Sequence, residues 1–210
     1  MKWIQTILFF IFICCNTHIV SAQNITVTDT YTPQQLVENV LVNSSCATVF
    51  NSSATGDTNV PIGLNSYGFF TNAGGSFPFI EGVVLSTSYA QKAKGPYDDS
   101  RTNITGNDNE NGWLGDTDLN QILNINSVTA TVLEFDFIPL TNFLSFDYIF
   151  ASIEYHGTGS CFYTDGFAFL LKEATATTYQ NLAIIPNTTT PVRVNTVRGS
   201  GTICTPANET

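Results

Sequence analysis

The residues with the most chemical potential in this sequence are acidic. The stretch NDNENGWLGDTD, residues 107–118, sets Asp108, Asp116 and Asp118 among asparagines and two glycines, and Glu154 and Asp165 flank a later polar stretch. Calcium takes about six to eight oxygen ligands from carboxylates, amide side chains and main-chain carbonyls, so such a loop is the right kind of donor set. It is not an EF-hand: Asn107 stands where the first aspartate belongs, and no glutamate closes the loop. Asp116 and Asp118 lie two apart and point the same way on an extended chain. Alternatively, Asp116 caps a short helix running through Leu119, Ile122 and Leu123. Ca2+ held by some of Asp108, Asp116, Asp118, Glu154 and Asp165 is one expectation; a solvated acidic loop without metal is the favoured one.

Nucleophilic catalysis finds little support. A serine hydrolase needs a base near its nucleophile, and the only histidine beyond the first 22 residues is His156, beside Gly157-Thr158-Gly159-Ser160. A G-x-S-x-G elbow is absent. Cys161 lies close to His156, but an exported cysteine is normally oxidised. Paired carboxylates could run glycoside hydrolysis, yet among seventeen acidic residues such pairs arise by chance. The expectation is no enzyme, with an exported carboxylate-dependent hydrolase as the alternative. Loop aromatics offer a binding role instead. Trp113 and Tyr155 are the candidates to stack on a glycan or grip a protein, Trp113 first because glycine-flanked tryptophan in an acidic loop has no evident core duty.

The N-terminus fixes the compartment. Lys2, the apolar run Ile7–Cys15 and the small residues before Gln23 read as a cleavable signal peptide over residues 1–22. The apolar run falls short of the roughly 20 residues needed to span a bilayer, and nothing later is long and apolar enough. The formal net charge is −10, and loss of Lys2 makes it −11. That balance disfavours nucleic acid and anionic lipid as partners. Beyond the leader remain Cys46, Cys161 and Cys204, enough for one disulfide and a leftover thiol. Cys161 with Cys204 is the working assignment, and the other pairings stay open.

These residues need a scaffold, and the scaffold reads as β-rich. Ile25–Thr28 alternates like a short strand, and Thr32-Pro33-Gln34-Gln35 has capping-box spacing ahead of Leu36, Val37, Val40 and Leu41. Residues 51–77 read as loops around one or two short strands, 80–89 as a strand, and 91–120 as a long polar segment. Further strands are expected at 131–138, 144–150, 167–171, 182–185 and 192–197, with Pro, Gly and Asn between them. Crossover helices are missing. The expected fold class is all-β, an antiparallel jelly-roll-like β-sandwich with one or two short peripheral helices. It forms one domain over 23–210, whose last strands are expected beyond Thr210.

The blocks Gly115-Asp116-Thr117-Asp118-Leu119, Val132–Pro139, Leu144–Tyr155 and Thr164–Leu170 follow one another in an order that resembles the choice-of-anchor L domain. Leu182–Pro186 with Thr190-Pro191-Val192, and the earlier Gly82–Thr87, are similar to that family's neighbouring blocks. The resemblance spans most of residues 30–205. It implies a secreted or cell-surface module of bacteria, notably Bacteroidota, within a larger adhesin-like protein. Such a module binds an extracellular protein or glycan, or serves as a spacer, or is a calcium-stiffened structural domain. Anchoring would come from a segment beyond residue 210. The family brings no established catalytic residues. Two positions depart from its pattern: Ile153 replaces a usual acidic residue beside Glu154, and Gly166 replaces an apolar one after Asp165.

Overall fold

The computed structural model describes residues 25–42, 45–56, 65–72, 74–75, 77–94, 113–155 and 163–197. The signal peptide, Asp108, His156, Cys161 and Cys204 lie outside the described residues, so the leader, that candidate ligand and the disulfide assignment gain no structural account.

The N-terminal third is built on a three-stranded antiparallel sheet ordered β1 (Ile25–Thr28), β3 (Tyr67–Asn72) and β4 (Glu81–Leu85). Val27 stands opposite Phe70, and both are buried beside Ala90. Phe77 packs edge-on against Phe70 and Phe79 in turn, as aromatic rings prefer. Gly82, opposite Phe70 on β4, matters here: a Cβ would stand 2.7 Å from the Phe70 ring.

Thr32 caps the first helix, Pro33–Leu36, as its spacing predicts. Its hydroxyl accepts from Gln35 N at 3.2 Å, and Gln35 Oε1 accepts from Thr32 N at 2.9 Å. The chain continues as a π-turn, Val37–Leu41, and Leu36 and Val37 are fully buried. Just after β1 lies Asp29, 3% exposed. One carboxyl oxygen accepts from Asn65 N at 3.1 Å, the other from Gln91 Nε2 at 2.9 Å, and Asn65 Nδ2 donates back to the Asp29 carbonyl at 2.6 Å. Burying a carboxylate demands such hydrogen bonds, and here they tie together three distant stretches of chain.

A second sheet pairs β2 (Ala47–Thr55) with β5 (Val132–Pro139), antiparallel. The alternation of β5 is obeyed: Leu133, Phe135 and Phe137 are half-buried, while Glu134, Asp136 and Ile138 face solvent. The register slips between Phe50 and Ser53 by one extra residue, a bulge in which Asn51 takes a positive φ of 55°. Asn51 Nδ2 donates to Asp136 Oδ2 at 2.7 Å across it. This nine-residue strand was hidden in the sequence by the polar run Asn51-Ser52-Ser53.

The C-terminal part departs from expectation. Of the strands read at 144–150, 167–171, 182–185 and 192–197, only Leu170–Leu171 forms a ladder, β6, with β7 at Gln180–Asn181. Isolated bridges join Gly166 to Arg193 and Ile184 to Pro191. Side chains take the donors that a ladder would use: Asn181 Oδ1 accepts from Phe169 N and Ala183 N, and Thr196 Oγ1 from Arg193 N. The alternation survives without the ladder. Phe146 meets Phe169 at 4.2 Å and Tyr148 meets Phe167 at 5.0 Å, so 146–148 and 167–169 run as antiparallel neighbours. The described residues thus form three separate antiparallel sheets with two short helices, the second being Thr117–Leu123.

Candidate functional site

The sequence-flagged acids divide between two places. Asp116 and Asp118 open the second helix. Asp116 Oδ1 accepts from Leu119 N at 2.7 Å, so the capping alternative is the one realised. Gly115 precedes it because a Cβ there would collide with the carbonyl of Ser127, whose hydroxyl accepts from Asp116 N at 3.0 Å. The helix is thereby clamped into a closed loop, with Leu114 bridging Val128.

Trp113 closes that loop from inside, which corrects the expectation of an exposed ring. It is 7% exposed, and its indole N–H donates to Ala130 O at 2.6 Å. Its main-chain carbonyl accepts from Thr129 N. A ring so enclosed has no free face for a sugar or a partner; it holds the loop shut.

Glu154 and Asp165 come together. Glu154 sits in a single 3-10 turn, Ile153–Tyr155, whose entry is fixed by Glu154 N donating to Ser152 Oγ at 3.2 Å. Asp165 is held through its main chain, where its carbonyl accepts from Val194 N at 2.9 Å, and Phe167 N donates to Val192 O. Val192 and Val194 are buried. The next residue, Gly166, lies against the second helix: a Cβ there would stand 2.5 Å from Leu123 Cδ1. A side chain there would require Leu123 to shift.

The two carboxyl groups hydrogen-bond to each other. Burial holds Glu154 above the usual carboxylate range, and the neighbouring Asp165 pushes it further, against a main-chain hydrogen bond that pulls it down. Burial also raises Asp165, but its hydrogen bond with Glu154 works in the opposite sense. Two carboxyl groups this close resist ionising together, so the pair as a whole holds a proton more readily than isolated carboxyl groups do. Tyr155 beside them is half-buried. Its pKa is raised by burial, then by the charges of Glu154 and Asp165, and its enclosed hydroxyl makes no hydrogen bond among the described residues.

Of the acids offered as possible metal ligands, the four described ones, Asp116, Asp118, Glu154 and Asp165, are not gathered into one set. Asp116 is committed to its helix, and among the described residues no three His, Cys, Asp or Glu side chains stand close enough to hold an ion. Sequence reasoning read 192–197 as a strand but did not foresee that Val192–Val194 supports Asp165. Its sequence signal was alternation after Pro191, and it anchors Asp165 through isolated main-chain bonds.

A family model for the choice-of-anchor L domain matches residues 24–210. The chain belongs to the choice-of-anchor L family. No curated protein and no solved structure gives a significant match. Membership in this family suggests a surface-anchored or secreted protein. No helix among the described residues is long and apolar enough to cross a membrane. Family membership assigns no role to the Glu154–Asp165 pair.

Proposed function

We propose that this chain is a non-enzymatic module of the bacterial cell surface, or secreted, that works within a larger adhesin-like protein by binding an extracellular protein or glycan. The sheets of the described residues would stack as a jelly-roll-like sandwich. The observation that carries the reading is the family match, which covers residues 24–210.

Site chemistry supports it against the hydrolase alternative. Glycosidase carboxyl groups stand about 5–5.5 Å apart in retaining enzymes and about 6.5–9.5 Å in inverting ones, leaving room for sugar or water. Glu154 and Asp165 instead stand close enough for each to act on the other's titration through a hydrogen bond. Two carboxyl groups sharing a proton at contact do occur in acid proteases, so peptides at acid pH belong in the test. Calcium stiffening has thinner support, since two carboxyl groups fall well short of the ion's oxygen requirement. Purified protein would be incubated with glycan, ester and peptide panels from acid to neutral pH. No turnover is expected. Turnover that disappears in Glu154→Gln and Asp165→Asn would overturn the reading. A melting temperature raised by Ca2+ and lowered again by chelator would instead establish calcium stiffening.

A further inference from the structure

We propose that the run Phe143–Ser152 is a strand-accepting edge for a partner segment that alternates apolar and basic side chains. This deepens the reading of the chain as a binding module and rests on it.

The first observation is the backbone. Leu144–Ala151 enters no strand ladder and, among the described residues, makes no hydrogen bond within the molecule, while Phe146 and Tyr148, two apart, reach the same neighbouring segment as they do on an extended chain. An extended chain with its N–H and C=O groups unspent is a template for another strand. Natural recognition by strand addition uses this feature, with main-chain bonds giving affinity and alternate side chains giving specificity.

The second observation is that the run is held in place. Phe146 and Tyr148 pack on Phe169 and Phe167, and that segment is in turn fixed by main-chain bonds to Val192 and Val194. Less ordering is then needed when a partner docks. Large apolar side chains stand out beside this framework. Phe143 is 79% exposed, Ile149 49% and Leu144 42%. Several exposed apolar side chains along one short run with unspent main chain mark an interaction surface, whereas apolar residues scattered singly need no explanation.

Charge selects the occupant. Between Arg101 and Lys172 the sequence has no Lys or Arg. Asp147 projects from the run itself, and Glu134, Asp136, Glu154 and Asp165 lie on the segments before and after it. A second copy would bring the same acids to the contact and be repelled, since like charges placed together across an interface cost several kcal/mol. A glycan would look for polar side chains around an exposed flat ring, and Leu144–Ala151 instead offers bare main chain and apolar groups. An extended segment alternating apolar residues with lysine or arginine satisfies the main chain, the apolar side chains and Asp147 together.

The test uses the chain without residues 1–22 and a labelled synthetic peptide alternating valine with lysine, read by fluorescence anisotropy. Its controls alternate valine with glutamate, or carry proline at alternate positions and so lack ladder donors. The lysine peptide is expected to bind, more weakly as salt rises, and the glutamate and proline peptides at least about tenfold less well. Asp147→Lys is expected to reverse the preference between the charged peptides while circular dichroism stays unchanged, Asp147 being exposed. Equal binding of the two charged peptides would overturn the proposal, as would undiminished binding of the proline peptide or no binding by any of them. So would concentration-dependent self-association that Phe143→Ser abolishes, or a glycan that competes the peptide off. Substrate turnover is a separate readout, so silence from the peptides leaves the non-enzymatic reading standing, and turnover removes that reading whatever the peptides do.

Discussion

Replacing Trp113 with phenylalanine separates a structural tryptophan from a binding one. The ring is 7% exposed and its N–H donates to Ala130 O at 2.6 Å. Phenylalanine lacks the donor, and Ala130, 8% exposed, then keeps a carbonyl shut away from water. Leaving such a group unsatisfied costs about 1–2 kcal/mol. The smaller ring also leaves a void, adding roughly 1 kcal/mol where the loop cannot collapse around it. The sum, about 2–3 kcal/mol, corresponds to a fall in melting temperature on the order of 5–10 °C for a domain this size. Far-UV circular dichroism follows the melt in both proteins. In a chain lacking residues 1–22, Trp113 is the sole tryptophan, so the parent protein's emission reports this loop directly. It should be blue-shifted, poorly quenched by acrylamide and indifferent to glycans. A fall of less than about 1 °C in Trp113→Phe, or strong quenching in the parent, would refute the enclosed indole.

The carboxyl pair predicts a pH dependence with a definite sign. Glu154 and Asp165 are both raised in the folded state, so their contribution to stability is fully present below the ordinary carboxylate range and is lost as pH climbs through the raised values. Denaturant melts across that window should show this loss, and Glu154→Gln should flatten it; an unchanged slope would count against the raised carboxyl pair. Asp116→Ala removes a helix cap and should lower stability by about 1 kcal/mol, while Asp116→Asn, which can still accept from Leu119 N, should lose less. Gly166→Val puts a side chain against Leu123 and should destabilise by about 1–3 kcal/mol, with partial recovery in the double variant carrying Leu123→Ala. Additivity of those two changes would argue against their contact. Tyr155→Phe removes an enclosed hydroxyl that has no partner, so its melting temperature should hold or rise.

Local rules carried the parts of this molecule whose partners are close in sequence. The Thr32–Gln35 capping box spans three residues and could be read directly. So could the faces of β5, because alternation assigns inside and outside without naming a neighbour. Asp116 was legible only as a choice between cap and ligand, and the nearness of Leu119 N decided it. Trp113 was misjudged because composition describes a loop by its residues, whereas its partner, Ala130, lies seventeen positions on. The C-terminal strands show the other limit. Their alternation is present in the sequence and persists in the ring contacts, but pairing depends on which donors Asn181 and Thr196 claim first. For the pair itself, the sequence offered both acids, and folding around Val192–Val194 supplied their contact.

Asp29 has a consequence in time. Its carboxylate is satisfied by Asn65 and Gln91, and the strand before it pairs with Tyr67–Asn72. A polypeptide is made from its N-terminus, so β1 and Asp29 are synthesised before any of these partners. The first segment of the domain cannot complete its native contacts until more than sixty further residues have followed it. Delayed closure of that kind leaves the leading end open while the rest is still being delivered.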